Sequence, residues 1–544
     1  MVSWGGLEIR RGLESLPYFV YAVGIMKLHL ILVCASVASA ATCDSIAAGK
    51  FASTTISSAQ VVAAGAFVPA SGLKAAIYKT APEFCRVQGV IAPSTDSHIE
   101  FEVWLPAAGW NGKYLGVGNG GFAGSVGYTA LAEAVANGYV ASSTDTGHQG
   151  NATDGVWALG HYEKIVDYGY RAIHETAEKS KAIIEAFYGG APKRSYFSSC
   201  SNGGRQALME AQRYPADYDG IIAGAPANFI THHLTGFVWN AQALEDAGYI
   251  PPAKLKLIES AAVAACDAND GVKDGVIDDP TKCHFDPSTL ACKGEQSDSC
   301  LTEAQVGALQ KIYAGPKNSK GEQLFPGFEP GGETGMGGWG SWITGFTPGK
   351  SVQLAFANGF FADMTFQDAS WDYRKMNFDK DVKITDDKES RIFNATDPNM
   401  KAFKDRGGKL LLYHGWSDAA IPPTNTIHYY DSVIAKMGRK QASEFVELYM
   451  VPGMQHCGGG PGVTEFGAMS PAAAQPDRSM IKSLEQWVEK GTPPAKIIAT
   501  KYKADGNPAS GVVRTRPLCP YPTVAKYSGS GSTDDAANFS CVAK

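Results

Sequence analysis

The feature that most constrains the fold is an alternation of strand-like and helix-like segments in the first half of the chain. Residues 99–105 (IEFEVWL) read as a strand, 113–124 as a strand running into a glycine-rich loop, and 133–145 as a helix, a glycine stop and a strand. Residues 170–189 have apolar side chains at helical spacing. The stretch RSYFSSCSNGG then reads as a strand and turn, followed by a helix to about Arg213 and a strand in YDGIIAGAPA. This alternation indicates a parallel sheet with crossover helices.

The same pattern returns near the C-terminus, in GKLLLYHGWSD at 408–418 and FVELYMVPGMQHC at 445–457. Between Asn228 and about Arg406 it is missing, and that region is rich in glycine, proline, tryptophan and phenylalanine. Because both flanks belong to one sheet, we expect an α/β core built from residues 41–227 and 407–544. A lid domain would be inserted at 228–406. Two separate domains in series are the alternative.

An export signal is predicted for residues 1–40. From Met26 the chain reads MKLHLILVCASVASAATC, a basic residue and an apolar run that ends in the cleavage pattern Ala38-Ser39-Ala40. A membrane anchor would need about 20 apolar residues, which this run lacks. We therefore expect a secreted or periplasmic protein with no membrane contact after signal removal. Residues 1–25 are an extended n-region or reflect a start codon assigned too early.

Composition excludes several classes of protein. Hydrophobic residues make up 44% and charged residues 19% of the chain, as in globular proteins and not disordered ones. The net charge of −6 gives no basic surface for nucleic acid or an anionic membrane. Signal removal takes Cys34 and leaves ten of the 11 cysteines. An even number in an exported protein indicates disulfides, and the absence of a CxxC pair argues against a zinc site.

A serine lies in the turn between the strand and the helix of residues 194–213. The usual nucleophile elbow is G-x-S-x-G, because larger flanking side chains would clash in so tight a turn. Here the frame is SCSNG at 199–203, followed by another glycine. Ser199 stands where the motif has its first glycine, which is a departure from it. Such a short motif also occurs at the ends of ordinary strands. Its position between strand and helix makes Ser201 the candidate nucleophile of a hydrolase.

Hydrolases of this architecture place an acid and a histidine after later strands, in the chain order Ser, Asp, His. Asp418 follows the apolar strand of LLLYHGWSDAAIPP, and His456 lies in a glycine-rich loop after the next strand. His456 would take the proton of Ser201 and return it to the leaving group, while Asp418 would fix the imidazole tautomer. A loop aspartate alone is usually a cap and a loop histidine usually solvated. Their order on these strand ends favours a catalytic triad.

An oxyanion hole made of backbone N–H groups is expected beside Ser201. One N–H would come from Asn202 and the other from the loop GVGNGGFAG, at Gly120 or Gly121. Glycine there lets the backbone approach a carbonyl and adopt a positive φ. A tight turn without a ligand is the alternative. A phosphate loop does not fit, because no GK[ST] follows.

Cys200 directly precedes Ser201, and Cys457 directly follows His456. A disulfide holds its two Cα atoms about 4.4–6.8 Å apart, and consecutive Cα atoms are about 3.8 Å apart. A Cys200–Cys457 bridge would therefore make Ser201 and His456 near neighbours. It would also restrict two loops that must meet at hydrogen-bond distance. The alternative is two unrelated buried thiols.

Cys-Ser, Asp and His-Cys in this order resemble the tannase and fungal feruloyl esterase family, which also resembles the hydrolase of mono(2-hydroxyethyl) terephthalate. The resemblance covers most of the mature chain, through WNGKYLGVGNGGFAGSV, SYFSSCSNGGRQALMEAQRYPADYDGIIAGAPA, CDANDGVKDGVIDDPTKC, FKDRGGKLLLYHGWSDAAIPP and PGMQHCGGGPG. It implies an α/β-hydrolase core with a large lid inserted after the nucleophile region. Ser125 stands where some relatives have a cysteine, so their extra disulfide is expected to be absent.

CDANDGVKDGVIDDPTKC, from Cys266 to Cys283, is the candidate metal site. Closely spaced aspartates with intervening glycines suit a hard cation, although the register is not that of an EF-hand. The resemblance implies a structural Ca²⁺ in the lid, away from the triad, with these ligands: the side chains of Asp267, Asp270 and Asp274 and the carbonyls of Val272 and Val276. A solvated acidic turn is the alternative. No organic cofactor is expected.

The resemblance also bears on the other cysteines. A Cys266–Cys283 bridge would close the acidic loop. Proximity along the chain and the resemblance together imply the remaining pairs: Cys43–Cys85, Cys292–Cys300 and Cys519–Cys541. Sequence alone does not establish this connectivity.

The leading hypothesis is a secreted carboxylic-ester hydrolase that forms an acyl-enzyme with a small aromatic ester or a feruloylated sugar. Hydroxycinnamate esters are favoured over gallate esters (tannase activity) and terephthalate monoesters, because the glycine and calcium loops most resemble feruloyl esterases. The lid is expected to bind the aromatic acyl group, and it offers these side chains: Trp339, Trp342, Phe346, Phe360, Phe361 and Trp371. Alternatives are a catalytically dead binding protein, a thiol enzyme using Cys200 or Cys457, and an acyltransferase. The oligomeric state stays open.

Overall fold

A nine-stranded β-sheet forms the centre of the computed structural model, which describes residues 42–70, 72, 75–468 and 475–543. The strands are β1 (Thr54–Val62), β2 (Phe84–Ile91), β3 (Ile99–Pro106), β4 (Lys113–Val117), β5 (Val140–Thr144), β6 (Arg194–Cys200), β7 (Gly220–Gly224), β8 (Lys409–Gly415), β9 (Val446–Val451), β10 (Ile497–Tyr502), β11 (Val512–Leu518), β12 (Val524–Tyr527) and β13 (Phe539–Val542). The large sheet has the order β1-β2-β3-β5-β4-β6-β7-β8-β9, and the last four strands form two antiparallel pairs. The predicted export signal, residues 1–40, lies outside the described residues.

Helices cover the sheet and fill the long connection between β7 and β8. They are α1 (Cys43–Ile46), α2 (Ala76–Thr80), α3 (Tyr128–Ala136), α4 (Tyr162–Val166), α5 (Ala172–Tyr188), α6 (Asn202–Arg213), α7 (Ile230–Ala243), α8 (Pro252–Cys266), α9 (Glu303–Ala314), α10 (Trp339–Trp342), α11 (Val352–Asn358), α12 (Lys380–Phe393), α13 (Lys401–Asp405), α14 (Thr424–Met437), α15 (Arg439–Ala442) and α16 (Met480–Lys490). Within the described part of the chain, no helix has the length and apolar character needed to cross a membrane.

The strands that carry the candidate site run parallel. β4 is parallel to β5 and β6, and the parallel pairing continues from β6 through β9. The first strands depart from the predicted parallel arrangement, because β1, β2 and β3 pair antiparallel and β3 is antiparallel to β5. Only residues 92–98 join β2 to β3. That connection is shorter than the crossover of about a dozen residues that a parallel pair needs.

The central strands are buried on both faces. In β7, Ile221 packs into the core on one face of the sheet and Ile222 into the core on the other. In β8, Leu410 and Leu412 share one core, while Leu411 lies in the other. Successive side chains of a strand point to opposite faces, so double burial produces the continuous apolar runs of these strands. This arrangement confirms the predicted α/β class.

Residues 228–406 connect β7 to β8, which are neighbouring parallel strands, and they hold α7 to α13. This fully described insertion adds no strand to the nine-stranded sheet. The predicted flanks, 41–227 and 407–544, both contribute strands to that sheet. The division into a catalytic domain and a lid domain stays a prediction, because the described residues from 42 to 543 fall in one compact unit.

Candidate active site

Ser201 lies in the turn between β6 and α6, in a backbone conformation that most residues avoid. Its φ is 66° and its ψ is −126°, a region that is strained for any residue but glycine. The Ser201 N–H donates to Gly224 O at 3.0 Å, and the Ala227 N–H donates to Ser201 O at 3.2 Å. The strained turn therefore rests on the neighbouring strand, and it has the strand–turn–helix form of a nucleophile elbow.

Close contacts explain the small residues around the elbow. A Cβ at Gly203 would lie 1.9 Å from Ser199 Oγ, and a Cβ at Gly204 would lie 2.3 Å from Gly224 O. A Cβ at Gly118 would also lie 2.9 Å from the Ser199 side chain. Serine replaces the usual first glycine of the motif here because Gly118 and Gly203 leave room for its hydroxymethyl group.

Ser201, His456 and Asp418 form one hydrogen-bonded chain. They follow β6, β9 and β8, whose parallel carboxyl ends meet at one edge of the sheet. His456 Nδ1 lies 2.7 Å from Asp418 Oδ2, and His456 Nε2 lies 2.8 Å from Ser201 Oγ. Because a carboxylate only accepts, Nδ1 carries the proton and Nε2 accepts from the serine hydroxyl. This geometry can activate a serine nucleophile.

Asp418 is fully buried and is surrounded by donors. Its Oδ1 accepts from the N–H of Ala420 at 2.7 Å and of Ile421 at 2.9 Å. Its Oδ2 accepts from His456 and from a second imidazole, His414, whose Nε2 is 3.1 Å away. Burial raises the pKa of Asp418, but the charge of His456 and the hydrogen bonds from both histidines outweigh it and hold that pKa below its usual value.

Two backbone N–H groups beside Ser201 are available to an oxyanion. Those of Asn202 and Gly121 take part in no hydrogen bond among the described residues, and both residues line the cavity next to Ser201. Gly121 has a φ of 55°, and a Cβ there would lie 2.5 Å from a backbone oxygen. Gly120, the other predicted donor, is not among the residues that line this cavity. Gly121 is therefore the better placed of the two glycines.

Two buried side chains, Tyr168 and Arg205, hold these donors in place. The Tyr168 hydroxyl lies 3.1 Å from Gly121 O and 3.1 Å from Asn202 Oδ1. Arg205 Nε donates to Asn202 Oδ1 at 2.9 Å, and the guanidinium also donates to the carbonyls of Tyr168 and Gly169. Sequence reasoning missed both residues. The only available signal was the place of Arg205 one helical turn after Ser201.

A disulfide joins Cys200 to Cys457, which are 257 positions apart in the chain and have Cα atoms 6.0 Å apart. It ties the elbow of Ser201 to the loop of His456. Because the two thiols are bonded to each other, neither is available as a nucleophile, which argues against the thiol-enzyme alternative. The described residues contain four further disulfides, at the pairs that the resemblance implies: Cys43–Cys85, Cys266–Cys283, Cys292–Cys300 and Cys519–Cys541.

An aromatic cavity opens beside Ser201. Its larger apolar and aromatic lining residues are Phe122, Tyr168, Ile230, Leu234, Phe237, Trp342, Phe356 and Ile421. Trp342 lies edge-on to the His456 imidazole, with ring centroids 5.2 Å apart. Among the described residues that line the cavity, none is a lysine, arginine, aspartate or glutamate. The cavity therefore suits a flat, uncharged aromatic group next to the serine hydroxyl.

Comparison with known proteins identifies the family. The profile of the family described as "Tannase and feruloyl esterase" matches residues 85–542. The chain belongs to the tannase and feruloyl esterase family. The predicted family is thus confirmed, and the chain is a carboxylic ester hydrolase.

Full-length relatives agree with this assignment. An uncharacterized esterase from Xanthomonas campestris pv. campestris is 44% identical, over 93% of this chain and 92% of its own. The mono(2-hydroxyethyl) terephthalate hydrolase of Piscinibacter sakaiensis is 34% identical, over the same shares of the two chains. The crystal structure of feruloyl esterase B from Aspergillus oryzae is 28% identical and has a TM-score of 0.83, over 92% of this chain and 99% of that chain. The fold is that of this family.

In this esterase, most of the aromatic residues named from the sequence lie outside the cavity. Of the six, Trp342 alone lines the cavity. Phe360, Phe361 and Trp371 pack in the same hydrophobic cluster as the cavity residues without lining the cavity, Trp339 is buried in another cluster, and Phe346 is exposed. Four aromatic residues that the sequence did not single out line it instead: Phe122, Tyr168, Phe237 and Phe356. No local pattern marks them, because the cavity is assembled from the glycine loop, the turn Asp167–Arg171, α7, α10 and α11.

The acidic loop of this esterase holds its aspartates by backbone hydrogen bonds. Asp267 accepts from the N–H groups of Asp274 and Gly275, both at 3.2 Å. Asp270 accepts from the N–H of Val272 at 2.9 Å. Carboxylate and carbonyl oxygens are the ligands that Ca²⁺ prefers, so the chemistry of the donor set fits the ion that the resemblance implies.

Asp274 and Val276 connect the acidic loop to the rest of the molecule. Asp274 Oδ2 pairs with Arg514 at 3.0 Å and with Arg516 at 2.5 Å, both on β11. Val276 packs against the segment that leads to His456, since a Cβ at Gly453 would lie 3.0 Å from Val276 Cγ1. The loop therefore supports the histidine segment from behind.

Another cluster of metal-type side chains lies between α5 and the end of α6. The ligand atoms of His174, Glu210 and Asp217 are within 4.8 Å of one another, the one such group in the described part of the chain. His174 Nδ1 is 2.6 Å from Asp217, and Lys181 Nζ is 3.4 Å from it. Burial, and then the charge of Asp217, raises the pKa of Glu210 well above its usual value. Within this cluster, Asp217 is therefore already paired with His174 and Lys181.

Proposed function

We propose that this esterase is secreted and releases hydroxycinnamic acids, of the feruloyl type, from plant-derived esters through an acyl-enzyme on Ser201. The observation that carries the proposal is the hydrogen-bonded chain from Ser201 through His456 to Asp418, which adjoins an uncharged aromatic cavity. The N–H groups of Asn202 and Gly121 complete the site as oxyanion donors.

In the proposed mechanism, Ser201 Oγ attacks the ester carbonyl while its proton passes to His456 Nε2. Asp418 stabilises the imidazolium, which then protonates the leaving alcohol. The N–H groups of Asn202 and Gly121 bind the negative oxygen of the tetrahedral intermediate. The same imidazole then takes a proton from water, which attacks the acyl-enzyme; as the bond to Ser201 Oγ breaks and the aromatic acid leaves, the imidazolium returns this proton to Oγ.

The lining of the cavity supports a hydroxycinnamoyl group over the two other acyl groups. A terephthalate monoester carries a free carboxylate, and burying a charge without a partner is strongly unfavourable. The described lining offers no cationic side chain to pair with it. A galloyl ring brings three hydroxyls that each need a partner when buried, whereas few polar side chains line the cavity: Tyr168, Ser201, Asn202 and His233. A feruloyl ring, with one hydroxyl and one methoxy group, requires the fewest partners.

A terephthalate-monoester hydrolase is the second candidate function. One observation favours it: the mono(2-hydroxyethyl) terephthalate hydrolase is 34% identical over 93% of this chain, slightly more than the 32% over 85% of the probable feruloyl esterase B-1 of Aspergillus terreus. In that case the free carboxylate of the substrate would remain in solvent at the mouth of the cavity.

A comparison of kcat/KM for methyl ferulate, methyl gallate and mono(2-hydroxyethyl) terephthalate tests the substrate assignment. We expect methyl ferulate to exceed the terephthalate monoester by about tenfold or more, the effect of leaving one charged group without a partner. The reverse order would assign the second candidate function. Hydrolysis of none of the three esters would refute the substrate class.

Export is supported by the five disulfides of the described residues, which are typical of proteins that fold outside the cytosol. The signal pattern that ends at Ala40 supports it as well. N-terminal sequencing of the mature protein tests this part of the proposal, and a retained segment 1–40 would contradict it.

The acidic loop is proposed to bind a structural Ca²⁺ through the side chains of Asp267, Asp270 and Asp274 and the carbonyls of Val272 and Val276. The all-oxygen donor set supports this assignment, as does the closure of the loop by a disulfide.

Chelation is expected to lower the Tm of the native protein. An ion that binds only the folded state stabilises it by about 2.7 kcal/mol at a hundredfold excess over Kd. Thermal unfolding with EDTA, and after return of Ca²⁺ or Mg²⁺, measures the effect. Asp270→Asn should abolish the Ca²⁺-dependent rise in Tm. Asp286→Asn, a matched change at an exposed turn outside the loop, should keep it. A Tm that is the same with EDTA and with Ca²⁺ would contradict the assignment.

A further inference from the structure

We propose that His414 is a positioning residue: its Nε2–H holds Asp418 Oδ2 in place and limits how strongly that oxygen binds His456. His414 does not touch the reacting atoms and acts only through Asp418. The inference rests on the triad proposed above and extends it by one imidazole behind the acid.

His414 is wholly buried near the end of β8, four residues before Asp418. Its Nε2 lies 3.1 Å from Asp418 Oδ2 and 3.1 Å from Ile421 O. Both oxygens only accept, so Nε2 carries the proton and is shared between them. Nδ1 then accepts from the Thr426 hydroxyl at 2.7 Å, which fixes the ring from α14.

The hydrogen bonds of Asp418 show what His414 contributes. Oδ1 is held by two backbone N–H groups, and Oδ2 is shared between the imidazoles of His456 and His414. Without His414, Oδ2 would interact with His456 alone. The carboxylate would then lose one of the four donors that fix its plane. The negative charge of Asp418 Oδ2 would also act on one imidazole instead of two. It would then favour the protonated form of His456, which cannot accept the serine proton.

Two other titratable side chains interact electrostatically with Asp418. His233 on α7 donates from Nε2 to Ala420 O at 2.9 Å, and burial lowers its pKa to about 4. Tyr413 on β8 feels the charge of Asp418, and burial raises its pKa above its usual value. Neither group changes charge between roughly pH 5 and 9. A movement of the acidic limb of the pH–rate profile in a variant of His414 is therefore not a titration of either of these two groups.

Two variants of His414 separate positioning from packing. With the uncharged ester methyl ferulate, His414→Leu is expected to lower kcat about tenfold or more, the effect of losing a hydrogen bond to a charged group, with little change in KM. The acidic limb of kcat/KM is expected to move to higher pH by about half a unit or more. In His414→Gln, an amide N–H can take the place of Nε2–H. That variant should recover most of the wild-type kcat, and its acidic limb of kcat/KM should lie at the wild-type pH.

Thr426→Val provides a milder test that leaves His414 itself unchanged. It removes the hydroxyl that orients the His414 ring. It should therefore lower kcat and move the acidic limb to higher pH, and both effects should be smaller than in His414→Leu. The unfolding temperature is measured for each variant. If His414→Leu does not fold, His414→Gln and Thr426→Val decide the question.

Wild-type kcat and an unmoved limb in His414→Leu would overturn the inference. So would equal losses in His414→Leu and His414→Gln without movement of the limb, since that is the result expected of a purely structural residue. If only the milder variants fold, an unmoved limb in Thr426→Val overturns it. Ser201→Ala is run alongside: activity that survives there refutes the triad itself, whereas an inactive Ser201→Ala with an unaffected His414→Leu refutes only the role of His414.

Discussion

Replacing Ser201 with alanine is expected to lower kcat/KM for ester hydrolysis by about 10⁴-fold or more. The variant removes the hydroxyl that donates to His456 Nε2 at 2.8 Å, so no acyl-enzyme can form. The oxyanion donors and the aromatic cavity remain, and they account for the residual rate above that of water. Loss of kcat with little change in substrate affinity is the expected pattern.

Mass spectrometry of the acid-quenched wild type during turnover of methyl ferulate should place the feruloyl mass on the peptide that contains Ser201. Ser195→Ala is the matched control, because Ser195 lies at the opposite end of β6 and should leave kcat/KM unchanged. If Ser201→Ala kept more than about a tenth of wild-type activity, the assignment of the nucleophile would be wrong.

Removing the Cys200–Cys457 disulfide, as the double alanine variant, is expected to reduce both stability and turnover. In the chain-entropy description, a bridge across 257 positions stabilises the fold by on the order of 5 kcal/mol. The bridge also joins the two loops that carry Ser201 and His456. A displacement of about 1 Å between reacting groups can lower the rate about 10²-fold, so kcat should fall more than the folded fraction does.

The Cys519→Ala/Cys541→Ala double variant is the matched control. This disulfide spans 22 positions in the C-terminal strands, and neither cysteine lies next to a candidate catalytic residue in the chain. The control should unfold at a lower temperature yet keep wild-type kcat while folded. Stopped assays at a temperature where every variant is folded by circular dichroism separate the two effects. Equal kcat in the wild type and both double variants would show that the Cys200–Cys457 bridge contributes only to stability.

The elements around the candidate site could be predicted because each one is local. Strand β6, the turn at Ser201 and helix α6 form one stretch of twenty residues, 194–213, in which alternation, small residues and helical spacing follow one another. Asp418 and His456 each come shortly after an apolar strand that is recognisable by itself. Cysteines placed next to Ser201 and His456 then predicted which distant loops meet.

The direction of each strand and its neighbours in the sheet were harder to predict than the strands and helices themselves. The strand pattern of residues 99–105 does not state whether the strand is parallel or antiparallel to its neighbours. In the structure, β3 is antiparallel to both β2 and β5. The short connection from β2 decides the direction, because it cannot hold a crossover. Alternation of side chains is set within one strand, whereas pairing depends on the whole chain.

The sequence by itself determined the family, the α/β class, the order of strands and helices around the site, and which serine, aspartate and histidine were candidates. Only the tertiary structure decided that Gly121 and not Gly120 lines the cavity, that Phe237 and Phe356 join Trp342 there, and that His414 binds Asp418. The physical reason is the range of the forces involved. Backbone conformation and turn sterics act between near neighbours in the chain, while cavity lining and buried hydrogen bonds depend on how distant segments pack.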